Sequence, residues 1–179
     1  RRHGGAWPEY IGPALPEMPE GETVDFWGIR SRRQQYETGA YYEMYHNPLA
    51  AAQTIDDLEQ YNWPTADWFD YSGMRAQARQ ARETQAVQCG YMTPFYSHNL
   101  LRGLEQSLVD PLEDAEFTHH LLQRIDDFTY AYHVRLFETC EGLIDVAQVT
   151  DDYGSQHGPL ISLAIFREFY KPYVKKYCD

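Results

Sequence analysis

The chain has 179 residues, enough for one domain with a packed core, and 43% of them are hydrophobic. Its 27 acidic against 15 basic residues give a formal charge of −12, which argues against nucleic acid and anionic membrane as partners, because gripping phosphates needs clustered Lys and Arg. No apolar run approaches the roughly 18–20 residues of a membrane span and no signal peptide is visible, so no membrane partner is expected.

Cys89, Cys140 and Cys178 are scattered, odd in number and without metal-type spacing, so they read as reduced thiols of a cytoplasmic protein. The chain starts Arg1-Arg2 and stops at Asp179 directly after a helical run, which predicts an internal piece of something longer.

Residues 1–50 read as an N-terminal preamble of loops and one hairpin. Pro8, Pro13, Pro16 and Pro19 keep helix out of its first part. Thr23–Ile29 and Ala40–Tyr45 alternate enough to be strands, with the polar Arg32–Thr38 stretch as their connection. Arg30, Arg32 and Arg33 form the one basic cluster and read as solvated surface. Residues 51–179 then alternate strand and helix. Thr54 is an N-cap for a short helix that stops before Trp63-Pro64, and Ser72 caps a second helix running to about Thr84. Ala86–Tyr91 is a short buried strand, and Pro94 opens a helix through Gln106. Asp110-Pro111-Leu112-Glu113 is a further start signal, an N-cap followed by Pro at the first helical position. Two helices are expected between it and Glu141.

Ile144, Val146 and Val149 form an apolar, β-branched run that predicts a buried strand. Its end presents Asp151, Asp152, Tyr153, Gly154, Ser155 and Gln156. Ser162 then caps a helix with Ile165, Phe166, Phe169, Tyr173 and Val174 on one face. Strand, polar loop with paired carboxylates, helix is the order in which parallel α/β folds place chemistry, on loops at the carboxyl ends of strands. The fold class expected is α/β, with a parallel sheet. The adjacent carboxylates Asp151 and Asp152 diverge, so one is expected to face the site while the other serves the backbone. Tyr153, Gln156 and His98-Asn99 are candidate substrate contacts around the same mouth. No metal ligand set is visible, since His157 lacks a second ligand at helical or hairpin spacing.

Asp145-Val-Ala-Gln-Val-Thr-Asp-Asp152, Gly158-Pro-Leu-Ile-Ser162 and Phe166-Arg-Glu-Phe-Tyr-Lys-Pro-Tyr173 together resemble the uroporphyrinogen decarboxylase superfamily. Pro48-Leu-Ala50, Trp63-Pro64 and Asp67-Trp-Phe-Asp-Tyr71 resemble its bacterial branch, and Gly90–Gly103 is similar to its second strand–helix region. The resemblance runs from about Tyr10 to the end. It implies a (β/α)8 TIM barrel, of which this chain is an internal, partial piece behind its preamble.

What the resemblance implies about function divides in two. Decarboxylases of the family remove acetate carboxylates from a tetrapyrrole without a cofactor. Methyltransferases of the family move methyl groups between a corrinoid, carried by a partner protein, and a thiol, using zinc. The family's acidic residue after the strand falls on Asp151. A substrate-contacting Ser of the decarboxylases falls on Asp152, and their substrate-binding Tyr falls near Asn99. The Arg-rich substrate motif is expected before Arg1 and the zinc-binding His-x-Cys after Asp179. Replacing Ser by Asp152 suits a polycarboxylate poorly, because like charges about 4 Å apart repel by about 1 kcal/mol in water and more in a drier site. Tetrapyrrole or related-acid decarboxylation, methyl transfer, and a non-catalytic barrel binding a small molecule are the three functions expected. Uncovered sheet edges and helix faces predict homo-oligomerisation.

Overall fold

The computed structural model describes residues 4–179, so the first three residues of the expected preamble lie outside it. The chain opens with two short strands, β1 (Gly4–Gly5) and β2 (Glu9–Tyr10). An antiparallel meander follows, β3 (Glu22–Val24), β4 (Arg30–Tyr36) and β5 (Gly39–His46). The expected hairpin is present with different strands. The Arg32–Thr38 connection is mostly β4, and only Glu37-Thr38 turns the chain into Gly39 at φ 147°. Both faces of this ribbon are largely wet, so hydrophobic alternation could not reveal β4. Cross-strand pairs hold it: Tyr36 stacks on Tyr41 at 4.5 Å, and Arg32 lies 5.6 Å above the Tyr45 ring. The arginines of the basic cluster are surface residues, as expected. The strand expected over Thr23–Ile29 stops at Val24 because Asp25 Oδ1 accepts the Trp27 and Ile29 amides at 2.9 and 3.0 Å, bending the chain into a turn.

Thr54 caps α1 (Ile55–Glu59) reciprocally with Asp57. A single 3₁₀ turn, Ala66–Trp68, leads into β6 (Phe69–Asp70), which pairs with β2. Ser72 is not the cap of α2 (Met74–Arg82): Gly73 holds that position, and the Ser72 amide donates instead to Asp70 Oδ1. Then come β7 (Val87–Met92), α3 (Pro94–Arg102), α4 (Leu104–Glu113) and α5 (Ala115–Thr139). Gly103, at φ 87°, ends the Pro94 helix short of Gln106. The start signal at Asp110-Pro111 does not operate. Pro111 sits inside α4, the Asp110 carboxylate is taken by Arg102 and His98, and Asp114 caps α5 by accepting the Phe117 amide at 2.9 Å. From Asp114 onward one continuous 25-residue helix replaces the expected pair.

The strand β8 (Val146–Val149) leads to a tight hairpin, β9 (Gly154–Ser155) and β10 (Gly158–Pro159). Ser162 caps the last helix as expected, its Oγ accepting the Ile165 amide at 3.2 Å. This helix runs as α6 (Leu163–Ile165), a wide π turn over Phe166–Tyr170, and α7 (Lys171–Cys178). Pro172 supplies no amide to the ladder, and the wider turn before it accommodates that loss.

The class is mixed α/β. β1, β7 and β8 lie side by side in sequence order, all parallel, as a three-stranded sheet among the described residues. Gly4–Gly5, within the stretch expected as preamble, is the first strand of this sheet. Met74, Ala78, Leu136 and Cys140 of α2, α5 and the turn after α5 bury Val87 and Cys89 against one face. A larger core joins Leu58, Phe95, Leu101, Leu121, Ile125 and Tyr170, each such apolar side chain contributing about 1.5–3 kcal/mol. β8 is less buried than its β-branched sequence predicts. Val146 is 47% exposed because the sheet ends there. No described helix is long and apolar enough to cross a membrane.

Candidate functional site

The carboxyl ends of β7 and β8 converge on the first turn of α3. That turn has amide donors without helical partners, and Asp151, just beyond β8, supplies the acceptors. Its Oδ2 accepts the Phe95 amide at 2.9 Å and its Oδ1 the Tyr96 amide at 2.7 Å, while Tyr153 donates its hydroxyl to Oδ2 at 2.9 Å. Burial pushes the Asp151 pKa upward, against the lowering pull of those two amides and the hydroxyl. The carboxylate therefore works as a cap delivered from another segment. Tyr153 is fixed by the same bond and by stacking on Phe95 at 5.1 Å. Asp152, Gln156 and His157 are exposed.

His98 and Asn99 lie inside the protein, behind the first turn of α3. His98 is fully buried between Tyr170, whose hydroxyl is 2.9 Å from Nδ1, and Asp110, whose Oδ2 is 3.0 Å from Nε2. Burial and Arg102 hold its pKa below the ordinary value despite Asp110. With His98 neutral, Nε2–H donates to Asp110 and Tyr170 donates to Nδ1. Arg102 grips Asp110 through both prongs, Nε to Oδ2 and Nη2 to Oδ1, each at 2.8 Å, and reaches the Leu49 and Ala52 carbonyls with Nη1. Burial alone would raise the Asp110 carboxyl, but Arg102, His98 and Gln106 hold it well below the usual range. Asn99 accepts the Ser107 hydroxyl at 2.6 Å. The network pins α3 and α4 to the 49–52 segment.

A cavity of about 290 Å³ opens elsewhere at the same end of the sheet. Trp7, two residues after β1, forms one side, its amide donating to Gln77 Oε1 of α2 at 3.1 Å. Tyr91 and Thr93 at the end of β7 and Tyr96, Ser97 and Leu100 of α3 form another. Phe128, Thr129, Tyr132 and His133 of α5 make the floor, and the turn Asp25-Phe26-Trp27 closes the remaining side. Gly90 shapes this wall. At φ 86°, with a Cβ meeting Phe137 at 3.0 Å, it permits a bulge in β7 after which the Tyr91 amide donates to His133 Nε2 at 3.1 Å. His133 Nδ1 meanwhile donates to the Thr129 carbonyl at 2.6 Å, so both its nitrogens are used and burial lowers its pKa.

Among the cavity residues Asp25 is the single carboxylate, and Lys and Arg are absent from the lining. Asp25 Oδ1 takes both turn amides, which leaves Oδ2 without a partner among the described residues. Burial pushes its carboxyl upward. None of the six residues singled out from the sequence lines this cavity. Asp151 comes nearest in effect, since it anchors the turn that carries Tyr96. Asp25-Phe-Trp-Gly28 was legible as a turn, an Asp followed three residues later by a Gly, here at φ 76°; strand alternation obscured it. No local pattern announces Trp7, Tyr91 or the Arg102–Asp110 pair.

The donors of the described residues do not fit zinc. They offer no group of three or more His, Cys, Asp or Glu side chains able to hold a metal. The Cys89 thiol is buried against the Ala6 carbonyl and pushed up to about 12, and the His98 and His133 rings are fully bonded. Comparison with family models, with curated proteins and with solved structures finds no match to this chain.

Proposed function

We propose that this chain is part of a (β/α)8 barrel enzyme of the uroporphyrinogen decarboxylase superfamily, and that the cavity beside Trp7, Tyr91 and Tyr96 receives its small-molecule substrate. One observation carries the reading: three parallel strands in sequence order, with a cavity of about 290 Å³ at their carboxyl ends. Consecutive parallel neighbours are the order in which a barrel is wound, and chemistry in such folds gathers at that end.

The composition of the cavity ranks the reactions. A tetrapyrrole bearing eight carboxylates needs cations, and this lining has one carboxylate and no Lys or Arg. Decarboxylation is therefore the weaker assignment, and methyl transfer, in which a neutral or cationic group is handled, the stronger. Since the described donors do not fit zinc, the part of this chain is to bind and orient a substrate, with metal and corrinoid chemistry lying outside it. A non-catalytic binding role is the second reading. It is favoured by His98, Asp110 and His133 having their ring nitrogens and carboxylate oxygens already engaged, which leaves none of them free as a base.

The test offers the intact enzyme that carries this chain uroporphyrinogen in one assay and methylcobalamin, a thiol and zinc in another. Methylated thiol without decarboxylated porphyrinogen is the expected result. Decarboxylated product reverses the ranking, and turnover in neither assay favours the binding role.

A further inference from the structure

The cavity's chemistry reaches beyond its position at the sheet end. Trp7, Tyr91 and Tyr96 are 44%, 49% and 43% exposed, unusual for large rings that surround one concavity, and Trp27 closes it opposite them. Aromatic faces carry negative potential, and the one formal charge of the lining is Asp25, whose Oδ2 has no partner among the described residues. Trp27 and the backbone that carries Trp7 are held by the surrounding protein. Trp27 stands edge-on to Phe128 at 4.9 Å, Tyr61 donates to the Trp27 carbonyl, and Gln77 holds the Trp7 backbone through both its amide and its carbonyl. The geometry points to a binding site for an organic cation of the quaternary or methylated ammonium class, with the rings against its methyl groups and Asp25 against its charge.

This follows from ring and carboxylate placement, and it stands whether or not the barrel reading and either reaction do. An anion is disfavoured by Asp25. A neutral apolar ligand would gain from the rings and nothing from the carboxylate, so charge is the property to vary.

Choline and its uncharged isostere 3,3-dimethylbutanol are titrated into the full chain at matched ionic strength, read by tryptophan fluorescence and by calorimetry. Saturable choline binding at least about tenfold tighter than the isostere is expected from cation–π attraction plus one facing carboxylate. Asp25→Asn keeps the oxygen that accepts the Trp27 and Ile29 amides, and it should weaken choline severalfold while leaving the isostere unchanged. Tyr96→Leu, at an exposed ring, should weaken choline with an unaltered unfolding transition. Equal affinity for the two ligands, choline binding indifferent to both substitutions, or no saturable binding of choline would each overturn the assignment.

Discussion

Arg102 meets Asp110 through two parallel contacts of 2.8 Å inside the protein, where neither side chain is more than about 5% exposed. The fork geometry matters as much as the charge, because Nη1 simultaneously serves the Leu49 and Ala52 carbonyls. Lysine has no second prong and cannot reach all four acceptors. Arg102→Lys should therefore cost about 2–4 kcal/mol, close to the loss on breaking a buried ion pair. Urea unfolding measures it, and a loss below about 1 kcal/mol would mean that the pair is ornamental.

Asp151 and Asp152 are neighbours with opposite duties. Asp151→Asn removes one of two acceptors from the α3 amides and should lower stability by about 1–2 kcal/mol, the usual value of a helix cap. Asp152 is exposed, and Asp152→Asn should stay within about 0.5 kcal/mol of the parent. Equal effects of the two substitutions on the denaturation midpoint would refute the capping role.

Acid should loosen the fold through its buried histidines. His98 and His133 both have folded pKa values below the unfolded one, about 6.5. Below that pH the unfolded chain takes up protons that the folded chain refuses, so stability falls as pH falls, by at most about 1.4 kcal/mol per pH unit for each ring. Asp110 adds nothing in this window. Its depressed carboxyl contributes stability above the unfolded value of about 3.9 and loses it only as pH drops through the folded one. Denaturant midpoints between pH 8 and 5 should decline, and His133→Gln should flatten the decline although it starts from a less stable protein. A pH-independent midpoint would contradict this.

The outer edge of β8 carries an exposed Val146 and has no strand beside it among the described residues. Unpaired edges of this kind template association. The chain should self-associate with rising concentration, and Val146→Lys should shift sedimentation toward monomer. A monomer at all concentrations would remove the edge from consideration.

Strands with a buried face and helices with side-chain caps were readable because their cause is local. Ala86–Tyr91 needed only its apolar run, and Thr54 and Ser162 needed only their hydroxyls at the right spacing. β4 was hidden because its pairing partners lie in another segment and neither face is apolar. The helix start expected at Asp110 moved to Asp114 because the Asp110 carboxylate was claimed by Arg102, eight residues earlier, a competition that no local rule contains.

The sequence by itself determined the α/β alternation, the acidic surface and the aromatic wealth of the chain. Periodicity, charge and composition are properties of short windows and survive without knowledge of the fold. Only the tertiary structure decided that Asp151 caps α3, that His98 is sealed behind Tyr170, and that Trp7, Asp25, Tyr91 and Tyr96 share one cavity. The four cavity residues come from three separate stretches, at positions 7, 25 and 91–96. Burial and long-range hydrogen bonding, set by how strands and helices pack, fixed which polar groups were consumed and which, like Asp25 Oδ2, have no partner among the described residues.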